Sequence, residues 1–269
     1  MPRITVLKLG GELLEEPQRV KAVARVVRTA AARGPLVVVH GGGREIDRAL
    51  FAAGIAKAQV DGLRITDEGT LRVVVAVLAG TVNTTFVAAL AAARVKAVGL
   101  TGADATVAPV KKALPHRTAA GARVSLGQVG EPTGRTRPDL LLRLTRAGYV
   151  PVIASVSASS AGDLYNVNAD TLAADVAARL KAARLVIAGA TLGVLDTAGD
   201  TLAVVDRALA RSMVTSGAAS AGMVAKLAAC RVALDAGVRD VRIADGRQAA
   251  GLAAAVTGAA TTGPWTLVK

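Results

Sequence analysis

Short apolar runs alternate along the chain with longer segments that show a helical period. The runs at residues 4–9 and 36–39 have the length and composition of buried parallel strands. Between them, Val20, Val23 and Val27 recur at helical spacing, which predicts a helix over residues 17–33. Further helices are predicted over residues 44–53, 70–94, 137–147, 168–180 and 221–236, and further strands over residues 97–100, 150–154, 185–188, 241–243 and 266–268.

This alternation predicts an α/β fold in which helices cover both faces of a mostly parallel central sheet. Ligands of such sheets bind beyond the carboxyl ends of the strands. Residues 103–131 carry Gly and Pro and predict irregular hairpins. Residues 193–205 predict a hairpin with its turn at residues 196–199, and the strand at residues 266–268 is expected at a sheet edge.

The composition supports a large core and argues against one class of function. Hydrophobic residues make up 52% of the 269 residues, so a core can form without disorder. Aromatic residues make up only 2%, which argues against single-stranded nucleic-acid binding, because that function needs stacking platforms. The net charge of +13 attracts polyanions, but the basic residues are scattered, which is typical of a solvated surface.

Cysteine usage and the first residues indicate a reducing compartment. Cys230 is the only cysteine, so neither an internal disulfide nor a cysteine-rich metal site can form. The N-terminus leads directly into the first predicted strand and shows no signal peptide, so we expect a cytoplasmic protein. Residues 73–93 carry no charge but contain Thr81, Asn83 and Thr84, which predicts a buried helix pair broken near Gly80 rather than a membrane span.

Two glycine-rich turns follow two of the predicted strands. Gly10 and Gly11 follow the first strand, and residues 41–43, all Gly, follow the second. Glycine lets the backbone turn sharply and brings bare N–H groups close to an anion, and a helix follows each turn, so together they predict a phosphate cradle. Each turn alone is equally consistent with a simple turn. Neither matches a Walker P-loop or the dinucleotide fingerprint.

Three further segments carry polar residues at element boundaries. Arg64 lies among turn residues and could grip a carboxylate bidentately or form a surface salt bridge. Asn166, Asn168 and Asp170 lie where a loop enters a helix, so they could cap that helix or serve a site. Lys226 lies one turn into the helix over residues 221–236.

These five segments, in this order and spacing, resemble the amino-acid kinase family. The resemblance runs from about residue 4 to residue 247. The segments at residues 62–67, 78–83, 97–100, 126–130 and 166–170 resemble in particular the branch of the family that phosphorylates N-acetylglutamate.

The resemblance implies a fold, a reaction and partners. The fold is a three-layer sandwich around a mostly parallel central sheet, with two lobes. Residues 1–165 would bind the acyl amino acid and carry the dimer contact, and residues 166–269 would bind nucleotide. The reaction is ATP-dependent phosphorylation of the γ-carboxylate of N-acetylglutamate in arginine biosynthesis, by a homodimer that binds neither membrane nor specific nucleic acid. Mg²⁺ would arrive with ATP, so no resident metal site is expected.

The resemblance also implies the roles of individual residues. Lys8 and Lys226 would flank the transferred phosphoryl group, and Asp170 would orient both lysines. The remaining expected ligands of the substrate are Gly42, Gly43, Arg64 and Asn166, and those of the nucleotide are Gly10, Gly11, Gly189, Ala190, Gly222 and Met223.

The chain departs from the family pattern mainly in the nucleotide lobe. Gly189 and Ala190 stand where the family usually has a Ser/Thr-Asp pair, and Ala221 replaces the usual Gly or Asp. Two alternatives stay open: the +13 charge slightly favours a kinase for an aminoadipyl or glutamyl group on an acidic carrier protein, and the altered residues 189 and 190 leave room for a non-catalytic sensor that kept the fold. Arginine-inhibited members carry an extra N-terminal helix, for which a strand that starts by Ile4 leaves no room, so we expect a dimer without arginine inhibition.

Overall fold

The computed structural model describes residues 3–118, 121–260 and 262–269, and in these residues strands and helices alternate. The strands are β1 (Thr5–Leu9), β2 (Leu36–His40), β3 (Gln59–Val60), β4 (Leu63–Arg64), β5 (Ala97–Thr101), β6 (Val110–Lys112), β7 (His116–Arg117), β8 (Arg123–Val124), β9 (Val129–Pro132), β10 (Val150–Ala154), β11 (Val156–Ala158), β12 (Leu164–Val167), β13 (Arg184–Gly189), β14 (Val204–Val205), β15 (Asp240–Asp245) and β16 (Trp265–Val268). The helices are α1 (Pro17–Ala31), α2 (Gly43–Ala52), α3 (Glu68–Val75), α4 (Asn83–Ala92), α5 (Asp139–Arg146), α6 (Ala169–Arg179), α7 (Arg207–Thr215), α8 (Ala221–Asp235) and α9 (Ala249–Thr257).

The central sheet has eight strands in the order β14-β16-β15-β13-β1-β2-β10-β5. The six strands from β15 to β5 run parallel, and β16 runs antiparallel to β15. In β1, Lys8 lies opposite Ile187 of β13 and Val39 of β2. A second sheet of four short strands, in the order β11-β12-β9-β6, lies beside it. The predicted mostly parallel sheet is confirmed.

Alternation along the strands divides the core into two layers. Leu7 and Leu9 of β1 pack into one cluster, with apolar residues from α1, α2, α4 and α9. Val6 packs into the other cluster, with residues from α5, α6 and α8. Since Lys8 has the same parity as Val6, its side chain lies on the side of α6 and α8. The three-layer arrangement predicted from the family resemblance is therefore confirmed.

The predicted break in the long apolar helix is wrong. Helices α3 and α4 are joined by a π-helical segment, Ala76–Val82, and form one helix from Glu68 to Ala92. Gly80 lies within this π-helical segment and does not break the helix. The π-helical turn is wider than an α-helical turn and keeps Leu78 and Val82 in the core. By length and composition alone this 25-residue helix could cross a membrane, with a hydropathy of 2.0 over its most apolar window. Only 39% of that window is buried within the chain, so most of it faces outward.

The C-terminal third contains two helices that the sequence pattern did not predict. These are α7 and α9. Helix α9 is rich in alanine and lacks the regularly spaced polar residues that would indicate an exposed face. The turn at residues 196–199 is as predicted, since Oδ1 of Asp196 accepts hydrogen bonds from the backbone of Ala198 and Asp200. The last strand, β16, is not the edge of the sheet, because β14 pairs with its outer side.

A buried histidine ties helix α4 to the end of β2. Nε2 of His40 lies 3.0 Å from Nδ2 of Asn83, which also donates to the carbonyl of Val152 at 3.0 Å. Nδ1 lies 3.1 Å from the carbonyl oxygen of Gly41. These partners assign a neutral ring that carries its proton on Nδ1. Burial lowers the pKa of His40 from 6.5 to about 4, so the ring stays neutral at physiological pH.

The two glycine turns touch each other at the carboxyl ends of β1 and β2. A Cβ atom at Gly11 would lie 2.5 Å from the Cα atom of Gly42, which is backbone and cannot swing aside. A Cβ atom at Gly42 would lie 2.8 Å from Leu78. A Cβ atom at Gly43, in contrast, would meet nothing within 4 Å. Gly11 and Gly42 are therefore required for the close approach, and Gly43 is not.

We expect stability to fall as pH falls from 6.5 toward 4, because the unfolded state takes up a proton on His40 that the folded state resists. His40 is the group whose lowered pKa spans this window. The expected loss of unfolding free energy between neutral pH and about pH 5 is about 2 kcal/mol from this residue. Chemical denaturation at both pH values measures it. In a His40→Gln variant, this part of the fall in unfolding free energy with falling pH should be absent. An unchanged pH dependence of the unfolding free energy in the variant would contradict the assignment.

A second prediction is that stability depends on Gly11 more than on Gly43. Gly11→Ala should lower the free energy of unfolding by about 1–3 kcal/mol, because the methyl group forces two backbone segments apart. Gly43→Ala, its matched control at the first position of α2, should change stability by less than about 1 kcal/mol. Denaturant unfolding of both variants measures the difference. Equal stability of the two variants would show that the turns do not need the close contact.

Candidate active site

A cleft of about 300 Å³ opens at the carboxyl ends of β1 and β2. This is the edge of the sheet at which ligands of parallel α/β proteins bind. The predicted site residues that line the cleft are Lys8, Gly10, Gly11, Gly42, Gly43, Arg64, Asn166, Asp170 and Lys226. Segments distant in sequence are thus brought to one place.

Two lysines share one buried carboxylate at the floor of the cleft. Nζ of Lys8 lies 2.8 Å from Oδ1 of Asp170. Nζ of Lys226 lies 3.2 Å from Oδ2 of the same carboxylate. Lys8 comes from β1, Asp170 from the first turn of α6 and Lys226 from the second turn of α8. We call this group the Lys-Asp-Lys array.

The array carries one net positive charge in a largely buried position. Burial alone would raise the pKa of Asp170, but the charges of Lys8 and Lys226 outweigh it and hold that pKa below its usual value. The carboxylate therefore stays ionised at neutral pH and keeps both ammonium groups in place. Since two positive charges are paired with one negative charge, the array can stabilise additional negative charge in the cleft.

The start of α6 fixes the carboxylate. Oδ1 of Asn168 accepts hydrogen bonds from the backbone N–H groups of Asp170, at 2.9 Å, and Thr171, at 3.1 Å. Asn168 is thus a helix cap, as the simpler interpretation of this segment predicted. Asp170 gains from the positive end of the helix dipole, which favours an anion in the first turn.

The glycine turns line the same cleft as the array. Gly10 and Gly11 follow β1, and Gly43 opens α2, whose first N–H groups have no partner within the helix. Such N–H groups, together with the helix dipole, favour an anion. The geometry therefore suits the predicted phosphate cradle.

Arg64 lies at the other end of the cleft with part of its guanidinium unused. Nη2 forms an ion pair with Asp47 and donates to the carbonyl of Gly43 at 3.3 Å. Among the residues that the structure describes, no group accepts a hydrogen bond from the buried Nη1. The side chain is only 10% exposed, so this is no surface salt bridge. An unpaired, buried donor is suited to a ligand carboxylate.

Asn166 lines the same end of the cleft from β12. Its Nδ2 donates to Oγ1 of Thr66 at 3.2 Å, which aligns the amide beside the segment that carries Arg64. The Oδ1 atom of the amide can accept a hydrogen bond from a ligand.

Four predicted residues lie outside the cleft lining. Gly189 and Ala190 lie beside it at the end of β13, and Ala190 lines a neighbouring cavity. Gly222 is exposed, and the backbone N–H of Met223 donates to Oγ of Ser220, the cap of α8, at 3.4 Å. The latter two residues therefore flank the site without lining its cleft.

Several lining residues were missed by the sequence analysis. They include Glu12, Gln59 and Ser155, and Asp47 lines the neighbouring cavity with Glu12. Glu12 directly follows the first glycine turn, so its position next to Gly11 was the available signal. Asp47 gave no local signal, because its partner Arg64 is 17 residues away.

Comparison with known proteins places this site in a family context. The model of the amino acid kinase family matches residues 3–245. The acetylglutamate kinase of Methanopyrus kandleri is 38% identical over 241 residues, which cover 88% of this chain and 93% of the relative. The acetylglutamate kinase of Solibacter usitatus is 39% identical over 240 residues, which cover 89% of this chain and 90% of the relative.

Solved structures agree in fold. N-acetylglutamate synthase from Neisseria gonorrhoeae, complexed with coenzyme A and N-acetyl-glutamate, superposes with a TM-score of 0.82 at 25% identity, over 99% of this chain and 59% of its own. Isopentenyl phosphate kinase superposes with a TM-score of 0.65 at 18% identity, which shows the fold alone. The family model matches most of the chain, and relatives are 38–39% identical to it over most of their length, so the chain belongs to the amino acid kinase family.

Proposed function

We propose that this protein transfers the γ-phosphoryl group of ATP to the γ-carboxylate of N-acetyl-L-glutamate, in arginine biosynthesis. The observation that carries the proposal is the Lys-Asp-Lys array in one cleft with two glycine turns, in a chain 37–39% identical to several acetylglutamate kinases. The relatives' names supply the substrate. The array supplies the chemistry that a phosphoryl transfer needs.

The reaction needs no general base in this cleft. The substrate carboxylate is already ionised at neutral pH, so its oxygen can attack the γ-phosphorus directly. A bond forms between that oxygen and phosphorus while the bond to the β,γ-bridging oxygen breaks, and ADP leaves with the electron pair. Catalysis then consists of positioning and of neutralising a highly charged transition state. Lys8 and Lys226 are the cations for that purpose, and Asp170 positions them.

The two ends of the cleft suit two different ligands. Arg64, with its unused Nη1, would bind the α-carboxylate of the substrate, and Asn166 its acetamido group. Gly42 and Gly43 would donate backbone N–H groups to the substrate, and Gly10 and Gly11 to the phosphates. Apart from Asn166 and the turn at Gly10 and Gly11, residues 1–165 would bind the acyl amino acid, and residues 166–269 the nucleotide, through Gly189, Ala190, Gly222 and Met223.

Mg²⁺ is implied by ATP chemistry. Within residues 3–118, 121–260 and 262–269, no group of three potential ligands converges. Of the two carboxylates that line the cleft, Asp170 has each oxygen against a lysine, and Glu12 accepts a hydrogen bond from the N–H of Ala190. Mg²⁺ typically enters kinases on the phosphates and takes few protein ligands. We infer that it is carried by ATP, and no step here depends on a protein-bound metal.

A kinase for a carrier-borne substrate is the second candidate, and one observation favours it. Arg117 and Arg123 lie opposite each other on the β7–β8 hairpin, and neither forms an ion pair with another described residue. His116 of the same hairpin lies 2.8 Å from Asp61, at the tip of the β3–β4 hairpin that lines the cleft. An acidic carrier could dock on such a basic surface, with strong dependence on salt.

The proposed reaction is tested by trapping the acyl phosphate as a hydroxamate, with free N-acetylglutamate and MgATP at about 150 mM salt, where the Debye length is about 8 Å. We expect turnover of the free substrate. A Lys226→Ala variant should lose about 100-fold or more in kcat, with a much smaller change in KM for the amino acid. The matched control is Lys21→Ala, which removes one exposed lysine of α1.

Three outcomes would contradict the proposal. A Lys226→Ala variant within a few-fold of the wild-type kcat would exclude the transition-state role of the array. Turnover only of a carrier-linked substrate, lost as salt rises, would favour the second candidate. Nucleotide binding without any phosphoryl transfer would favour the non-catalytic sensor.

We also propose a homodimer in the cytoplasm. The exposed side of the α3–α4 helix includes Ala76 and Ala88, and the adjacent strand β5 is an edge of the central sheet. A second copy that packs there by two-fold symmetry would cover both. Cys230 is buried as a free thiol, which fits a reducing compartment.

The dimer is tested by an Ala88→Glu variant, whose charge would have to be buried at the contact. We expect light scattering to give twice the chain mass for the wild type and the chain mass for the variant. Ala32→Glu, at the exposed end of α1, is the matched control and should stay dimeric. A monomeric wild type, or an Ala88→Glu variant that stays dimeric, would exclude the proposed contact, and a hexameric wild type would contradict the predicted dimer.

A further inference from the structure

The carboxylate of Glu12 occupies the part of the cleft that joins the glycine cradle to β13. Its Oε1 accepts a hydrogen bond of 2.9 Å from the backbone N–H of Ala190. The same carboxylate covers Gly10, where a Cβ atom would lie only 2.3 Å from Oε1. Glu12 lines both the cleft and the neighbouring cavity, so it lies at their junction.

The position held by this carboxylate has the features of an anion site. A Cβ atom at Gly189 would lie 3.0 Å from Oε1 of Glu12 and 3.8 Å from Cε of Lys226, so the acid and the lysine approach the same point. The N–H of Ala190 points at the carboxylate, and the glycine turn lies beneath it. Backbone N–H groups and a lysine beside bare glycines are the groups that hold phosphate oxygens.

Glu12 has no ion-pair partner within 4.0 Å in the part of the chain that the structure describes. Arg247, which is paired with Asp245, interacts with the charge of Glu12 from beyond that distance. The carboxylate accepts a single hydrogen bond, from the backbone N–H group of Ala190. A phosphate oxygen would take that N–H group in place of the carboxylate, and an ionised Glu12 beside phosphates would repel them. The carboxylate and the phosphates therefore compete for one place.

We propose that Glu12 determines nucleotide affinity by acting as an internal competitor of the ATP phosphates. The carboxylate stands in for a phosphate oxygen at the N–H of Ala190 when no nucleotide is bound, and moves aside when one binds. The inference rests on the proposed function, because it requires that the cleft bind ATP. Glu12 acts on binding and takes no part in the transfer itself.

A Glu12→Gln variant separates the charge from the hydrogen bond. The amide oxygen of Gln can still accept from the N–H of Ala190, so the loop keeps its contact, but the negative charge is gone. We expect calorimetry to show about three- to tenfold tighter binding of ATP and ADP. Adenosine, which has no phosphate, should bind the variant and the wild type equally. Glu16→Gln, which removes an exposed carboxylate at the start of α1, is the matched control and should change none of these affinities.

Each other outcome points to a different conclusion. Unchanged ATP affinity in the Gln variant would overturn the competitor role, and weaker ATP affinity would assign Glu12 to the bound nucleotide or its metal instead. An equal increase in affinity for adenosine would show that the substitution acts through the structure of the loop and not through the phosphates, which also overturns the proposal. Failure of the wild type to bind ATP at all would reject the proposed function rather than this inference.

Discussion

The Lys-Asp-Lys array is the interaction on which the cleft depends, because it joins three elements that no local contact would hold together. Two ammonium groups side by side would repel each other, and each loses hydration on burial, at a cost of several kcal/mol per ion. Asp170 offsets both effects with one oxygen for each lysine. Removing it would leave two like charges on the cleft floor, one on the central strand β1 and one on α8. The same pairing leaves one net positive charge, which is the property that a polyanionic ligand needs.

The topology of the sheet explains why the array and the glycine cradle line one cleft. Strand β1 lies between β2 and β13, and all three run in the same direction, so their carboxyl ends form one edge. The turn after β1 meets the turn after β2 at Gly11 and Gly42, which pack backbone to backbone. Behind this contact, His40 and Asn83 anchor the end of β2 to α4 through buried hydrogen bonds. The cradle is thus supported by the core rather than by its own loop, which keeps its N–H groups in place without a ligand.

What the sequence could predict followed from local patterns. The apolar runs identified the strands of the sheet, and the period in α1 identified that helix nearly to its ends. The glycine turns were found because Gly is placed where the backbone must bend. The pattern failed where it was weak, as in the alanine-rich α9, or where the contact is distant in sequence. The contact between Glu12 and Ala190 spans 178 residues, and no local signal reports it. Asn168 and Asp170 show a further limit, since one segment both caps a helix and supplies the carboxylate of the array, and a pattern alone cannot separate the two roles.

The cleft also shows how a basic protein keeps an anion site folded without its ligand. Arg64 is held by the carboxylate of Asp47, the two lysines by Asp170, and the N–H of Ala190 by Glu12. Cations and donors in a cleft gain from a partner, and the chain supplies carboxylates of its own at three points. In the proposed function, a phosphate at Ala190 would exchange one anion for another, and its affinity would be the difference between two interactions of similar kind. Arg64 differs, because it can keep Asp47 on Nη2 and offer the unpaired Nη1 to a ligand. Asp170 differs again, because its largely buried side chain lies against both lysines and holds them in place.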